Sequence, residues 1–106
     1  MAWIILFVAG LLEIVWAVAL KQSHGFTRLV PSLVTLAGMA ASIVFLALAM
    51  RSLPLGTAYT VWTGIGAVGA FAVGIAFLGE PANAMRLTAA AVIVAGLVLM
   101  KLASAE

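Results

Sequence analysis

Long runs without a charged side chain constrain this chain more than any other feature of its sequence. Residues 29–50 and 57–78 contain no Asp, Glu, Lys or Arg, and residues 3–20 contain Glu13 as their one charged residue. A helix that crosses a bilayer needs roughly 20 predominantly apolar residues. Each run is therefore long enough to cross a membrane as an α-helix.

The overall composition excludes a solvated surface. Hydrophobic residues make up 67% of the chain and charged residues 8%, whereas soluble domains have roughly half and about a quarter. The net charge of +2 comes from scattered cations, so we expect no nucleic-acid binding. Strands of a membrane barrel would alternate over about ten residues, and these runs are continuous. The sequence predicts an all-α membrane protein.

Four apolar runs account for almost the whole chain. Four spans of roughly 20 residues leave no room for another domain, so we predict one transmembrane domain over residues 1–106. The short loops make consecutive helices antiparallel neighbours. The predicted helices cover about residues 3–20, 29–50, 57–78 and 85–102.

The cations of the predicted loops give almost no preference for one orientation. Lys21, Arg28 and Arg86 lie on one side of the predicted bundle, and Arg51 and Lys101 lie on the other. Positive charge in short loops sets the orientation of membrane proteins. This near balance predicts that copies insert either way up, unless features other than charge decide.

Glu13 is the one ionisable side chain deep inside an apolar run. Intramembrane carboxylates are costly, and they mark ion or proton pathways unless they are paired. Lys21 lies about two helical turns further on, roughly 12 Å away, so it cannot pair with Glu13 at the same depth. We predict that Glu13 binds a cation and a proton in alternation. The alternative is a protonated structural Glu13 that hydrogen-bonds between helices.

Aromatic and small residues are spaced to surround this carboxylate. Gly10 and Trp16 share a helix face with Glu13, and Tyr59 and Trp62 share a face of the third helix. Aromatic ring faces attract desolvated cations. Each aromatic residue taken alone indicates core packing or lipid contact, but together with Glu13 these residues predict a cation site. Two uncharged polar residues complete the predicted site, Ser42 and Thr63.

Gly64 and Gly66 interrupt the third helix. Glycine weakens a helix and permits bending, so two interpretations stay open: a kink that changes shape during transport, and close packing against another helix. The sequence contains no metal-ligand, phosphate-loop or nucleophile–base motif. We therefore expect no enzyme activity, no metal and no cofactor.

Two longer motifs extend these observations. The loop sequence GFTR at residues 25–28 and the sequence PLGTAYTVWTGIG at residues 54–66 resemble motifs of the small multidrug resistance family of bacterial four-helix transporters. Gly10, Glu13 and Trp16 resemble the pattern of its guanidinium-exporter subtype. The resemblance covers nearly the whole chain.

The resemblance implies an antiparallel homodimer of dual topology in the bacterial inner membrane. Two Glu13 carboxylates would face one pocket, where guanidinium and protons compete, and Trp16, Ser42, Tyr59 and Trp62 would line or support it. Ser42, Tyr59 and Trp62 would orient the carboxylate by hydrogen bonds. Two alternatives remain: a broader exporter of quaternary ammonium compounds, and a non-transporting membrane subunit in which Glu13 is structural.

Overall fold

The computed structural model describes residues 1–103, and within them it contains four α-helices and no strand. All four helices are long and apolar enough to cross a membrane. The prediction of an all-α protein with four transmembrane helices is confirmed. Residues 104–106, which end the predicted domain, lie outside the described residues. The helices are α1 (Ala2–Gln22), α2 (Leu29–Ala49), α3 (Leu55–Phe77) and α4 (Ala84–Ala103).

Ser23 organises the turn between α1 and α2. Its side chain is fully buried, and its Oγ donates to the Leu20 carbonyl (2.7 Å) and accepts from the Phe26 N–H (3.1 Å). His24, Gly25 and Phe26 follow with φ values of 49°, 72° and 67°. A left-handed conformation costs roughly 1–2 kcal/mol for each residue other than glycine. The hydrogen bonds to Ser23 offset part of that cost and hold the turn tight.

The other two turns are defined by standard helix-end chemistry. Pro54, with φ −66°, precedes α3, where a fixed φ costs nothing and no N–H is needed. At the end of α3, Gly79 has φ 71°, and the N–H groups of Leu78 and Glu80 both donate to the Gly74 carbonyl at 3.1 Å. This pattern is typical of a glycine that ends a helix.

α1 lies at the centre of the contacts, because it packs against both α2 and α3. In the described part of the chain, the backbone of α4 comes close to that of α3 only, and α4 has no buried residue. The molecule is a thin layer, with principal extents of 44 × 35 × 16 Å. The core joins seven residues of the first three helices: Leu6, Ala9, Leu46, Ala49, Ala58, Val61 and Trp62.

Glycines allow the central helices to approach closely. A Cβ placed on Gly10 of α1 would lie 2.6 Å from Ile65 Cγ2 of α3, and a Cβ on Gly38 of α2 would lie 3.0 Å from the Trp16 Cβ of α1. Small residues at helix contacts are typical of membrane proteins, where association depends on close van der Waals packing. These contacts place α1 between α2 and α3 and fix which of its faces meets α3.

Candidate functional site

Glu13 lies on the face of α1 that meets α3. A Cβ added to Gly66 would overlap the Glu13 carboxylate, so the missing side chain at Gly66 provides the space that the carboxylate fills. Glu13 Oε1 is buried and has no hydrogen-bond partner within residues 1–103. Burying a polar atom without a partner is costly. This oxygen is therefore ready to take up a proton or to accept from a cation.

A chain of two hydrogen bonds joins α3, α2 and α1 beside this position. The Trp62 indole N–H donates to Ser42 Oγ (2.9 Å), and the Ser42 hydroxyl donates to the Ala9 carbonyl (2.7 Å). The family resemblance implies that Ser42 and Trp62 orient the Glu13 carboxylate, but in this chain they bond to each other and to the Ala9 backbone. The physical reason is that both donors are buried and each takes the acceptor that packing brings nearest.

Trp16 and Tyr59 differ in exposure. Trp16 is partly buried, and its indole Nε1 has no hydrogen-bond partner among the described residues. Tyr59 is 52% exposed, and its ring centroid lies 5.4 Å from that of Trp62, with an interplanar angle of 44°. Thr63, one turn after Tyr59, is also exposed. The ring of Tyr59 thus contacts Trp62, and both Tyr59 and Thr63 lie on the outer surface of the chain.

Gly64 and Gly66 lie within one continuous helix, since α3 runs unbroken from Leu55 to Phe77. A Cβ on Gly64 would lie 3.0 Å from Leu97 Cγ of α4, whereas Gly66 faces Glu13 of α1. Both glycines are therefore close-packing positions in this structure. A kink that changes shape at these residues stays a prediction.

Two further contacts involve charged side chains near the two ends of α4. Lys101 Nζ lies 4.6 Å from the centre of the Trp3 ring, because antiparallel helices bring the end of α4 beside the start of α1. At the opposite end, Arg86 Nη2 lies 3.4 Å from Glu80 Oε1. The short spacing of Glu80 and Arg86 across one turn was the available signal for that second pair.

An apolar cleft of about 340 Å³ lies between α1, α3 and α4. Glu13 is not one of its lining residues, so the carboxylate lies outside this cleft. Eight side chains line the cleft: Trp3, Phe7, Val61, Ile65, Leu97, Val98, Lys101 and Leu102.

Comparison with known proteins identifies relatives of this chain. Residues 1–94 match the family model described as Small Multidrug Resistance protein. A protein of Yersinia pestis named guanidinium exporter is 61% identical over 104 residues, which cover 98% of this chain and 100% of the relative. Guanidinium exporters of Escherichia coli K12 (61%) and Citrobacter freundii (59%) match over 98% of this chain and 99% of their own length.

These similarities agree with the four membrane-spanning helices, and they indicate a transporter rather than an enzyme. The protein is therefore a multi-pass membrane protein, and the chain belongs to the small multidrug resistance family.

Proposed function

We propose that this protein exports guanidinium in exchange for protons and that Glu13 binds both. The observation that carries the proposal is the Glu13 carboxylate, which lies against Gly66 in the middle of a spanning helix with one buried, unpartnered oxygen. The names of relatives that are 61% identical over nearly the whole chain support guanidinium as the substrate.

Guanidinium and a proton compete for the same Glu13 carboxylate, so one must leave before the other binds. Guanidinium is planar and charged, and it presents a fork of N–H donors that fits two carboxylate oxygens. A proton on Glu13 removes the negative charge that holds the cation. Each carboxylate therefore holds either a proton or guanidinium, so a proton gradient can drive guanidinium outward.

The geometry of one chain favours a second copy as part of the site. α4 buries none of its residues, the protomer is a layer 16 Å thick, and Tyr59 and Thr63 face outward. A second protomer that packs on this surface would enclose the two Glu13 carboxylates between aromatic side chains. The near balance of cations between the two sides supports an inverted partner. The relatives belong to bacteria, which supports a bacterial inner membrane as the location.

The remaining residues have supporting roles in this proposal. Trp62 and Ser42 fix α1 through the Ala9 carbonyl, one helical turn before Glu13. Trp16, whose indole N–H has no partner among residues 1–103, supplies a donor and a ring face to the pocket. Gly10 keeps α1 close to α3.

α3 couples the site to α4, because Gly66 touches Glu13 and Gly64 touches Leu97 on α4. Bending of α3 at these two glycines would change both contacts together. We propose that this bending opens the pocket to alternate sides of the membrane.

The test is coupled flux in proteoliposomes. A guanidinium gradient should drive proton movement in the opposite direction, and Glu13→Gln should abolish it. Lys21→Gln, which replaces a charge by an amide on the same helix, is the matched control and should retain the flux.

A panel of substrates separates the alternatives. Tetramethylammonium carries the same charge but has no N–H donor, so coupled flux of guanidinium without that of tetramethylammonium supports the proposal. Equal flux of both cations would instead identify a broader exporter. No coupled flux with any cation would contradict transport and leave Glu13 as a structural residue.

A further inference from the structure

We propose that Glu80, Phe71 and Gly74 form a second guanidinium-binding site, which the guanidinium group of Arg86 occupies in this structure. The site lies at the turn between α3 and α4, at the membrane surface rather than at the depth of Glu13. The proposal rests on guanidinium being the transported substrate, and it adds a place where the ion binds before it enters or after it leaves the central pocket.

Three groups form a cradle for a guanidinium group. Arg86 Nη2 lies 3.4 Å from Glu80 Oε1, and Arg86 Cζ lies 5.0 Å from the centre of the Phe71 ring. Gly74 makes room for the carboxylate, since a Cβ there would lie 2.7 Å from Glu80 Cδ. The Glu80 N–H also donates to the Gly74 carbonyl (3.1 Å). The carboxylate is thereby held against the end of α3.

Arg86 fills this cradle incompletely. The pair uses one oxygen and one nitrogen at 3.4 Å, and the two side chains are 37% and 41% exposed. Arg86 Nε is buried and has no partner among the described residues. An exposed ion pair of this kind is closed only about one to five times as often as it is open. The carboxylate is therefore regularly available to a competitor.

The free ion carries the same functional group as Arg86. Guanidinium is planar, permanently charged and able to donate to both oxygens of a carboxylate at once. It also stacks on an aromatic ring as an arginine does. Because it has no tether, it can take a bidentate position that the Arg86 side chain does not reach here.

The position of Glu80 suits a site that holds guanidinium before it enters or after it leaves the central pocket. Glu80 is the other carboxylate besides Glu13 in the described residues, and it lies in the turn that ends α3. An ion bound at Glu80 is held at the membrane surface beside the helix that carries Gly66. In an inverted pair of copies, each side of the membrane would have one such site, so both entry and exit would be served.

The experiment is an NMR titration of arginine Nε–H signals in bicelles, with Glu13→Gln protein so that the central site is silent. The chain has three arginines, Arg28, Arg51 and Arg86, and single substitutions to Gln assign the signals. Guanidinium chloride should shift the Arg86 signal in a saturable way and leave the other two unchanged. Tetramethylammonium chloride, which has no N–H donor, should not produce this shift.

Substitutions at the site test the cradle itself. Adding Glu80→Gln should abolish the saturable shift. Removing the competitor with Arg86→Gln should make guanidinium binding, followed on Phe71 ring signals, about two- to sixfold tighter, because the apparent affinity scales with the fraction of open sites. Arg51→Gln is the matched control and should leave the affinity unchanged.

Three results would overturn the proposal: a shift of equal size with tetramethylammonium, which needs no N–H donor; a saturable shift that persists after Glu80→Gln; or no saturable Arg86 shift at all. Failure of the proposed transport function is distinguishable from all three. It would remove coupled flux from proteoliposomes of the unaltered chain without affecting this titration. Coupled flux with no saturable Arg86 shift would instead reject the Glu80 site alone.

Discussion

Ser42 should contribute more to the stability of this protein than its small side chain suggests. It is fully buried, and its hydroxyl is the acceptor for the Trp62 indole N–H and the donor to the Ala9 carbonyl. Ser42→Ala removes both hydrogen bonds while leaving the Cβ in place. The substitution creates almost no cavity, so its cost reports the hydrogen bonds rather than lost packing.

The expected loss of stability in Ser42→Ala follows from the two lost hydrogen bonds and from the Trp62 N–H that is left without an acceptor. Side-chain hydrogen bonds between membrane helices contribute about 0.6 kcal/mol on average and up to about 1.7 kcal/mol. The Trp62 N–H would remain buried without an acceptor, which costs about 1–3 kcal/mol. We expect Ser42→Ala to lower the free energy of unfolding by about 1–3 kcal/mol.

Reversible unfolding by SDS in mixed micelles measures this difference. Ser32→Ala is the matched control, because Ser32 lies on the same helix and its hydroxyl donates only to the local Arg28 carbonyl (2.5 Å). Its cost should stay below about 0.5 kcal/mol, as for most surface substitutions.

A double-mutant cycle with Trp62→Phe separates the hydrogen bond from other effects. Phenylalanine has no N–H, so Ser42→Ala should cost less in that background, with a coupling energy of about 0.5–3 kcal/mol. A cost for Ser42→Ala no larger than that for Ser32→Ala would contradict a stabilising role of these two hydrogen bonds. So would an equal cost of Ser42→Ala with and without the Trp62 indole.

Three further predictions concern the carboxylate. Gly66→Ala should lower stability by about 1–3 kcal/mol through overpacking against Glu13 and change the guanidinium KM; unchanged stability and an unchanged KM would contradict the Gly66–Glu13 contact. Glu13→Asp should retain exchange but weaken guanidinium binding, because the carboxylate is one methylene shorter; an unchanged affinity in isothermal titration would contradict Glu13 as the ligand. Guanidinium binding should weaken as the pH falls, because protons occupy the carboxylate, and a pH-independent affinity would refute competition at Glu13.

The sequence predicted the spans and the central carboxylate for a simple reason. Lipid excludes charge, so the uncharged runs mark the helices and one charged residue within a run stands out. Glu13 and the four-helix architecture both follow from that rule. The contact between Glu13 and Gly66 does not follow from that rule, because it depends on how α1 and α3 are rotated against each other.

The packing faces of membrane helices cannot be predicted from the spacing of apolar residues. In water, an apolar stripe marks the face that meets the core, but in lipid every face of a helix is apolar. The sequence therefore did not show that Ser42 bonds to the Ala9 backbone instead of Glu13. It also did not show that Arg86 stacks on Phe71, a contact between two helices.

The sequence by itself determined the class of protein, the number of spans and the identity of the intramembrane carboxylate, since each depends on where charge is absent. The family resemblance came from the motifs at residues 25–28 and 54–66. Only the tertiary structure decided the partners of the polar groups: Gly66 for Glu13, Ser42 for Trp62, and Glu80 with Phe71 for Arg86. These pairings depend on helix rotation and register. Glycine contacts set both, and no composition or periodicity records them.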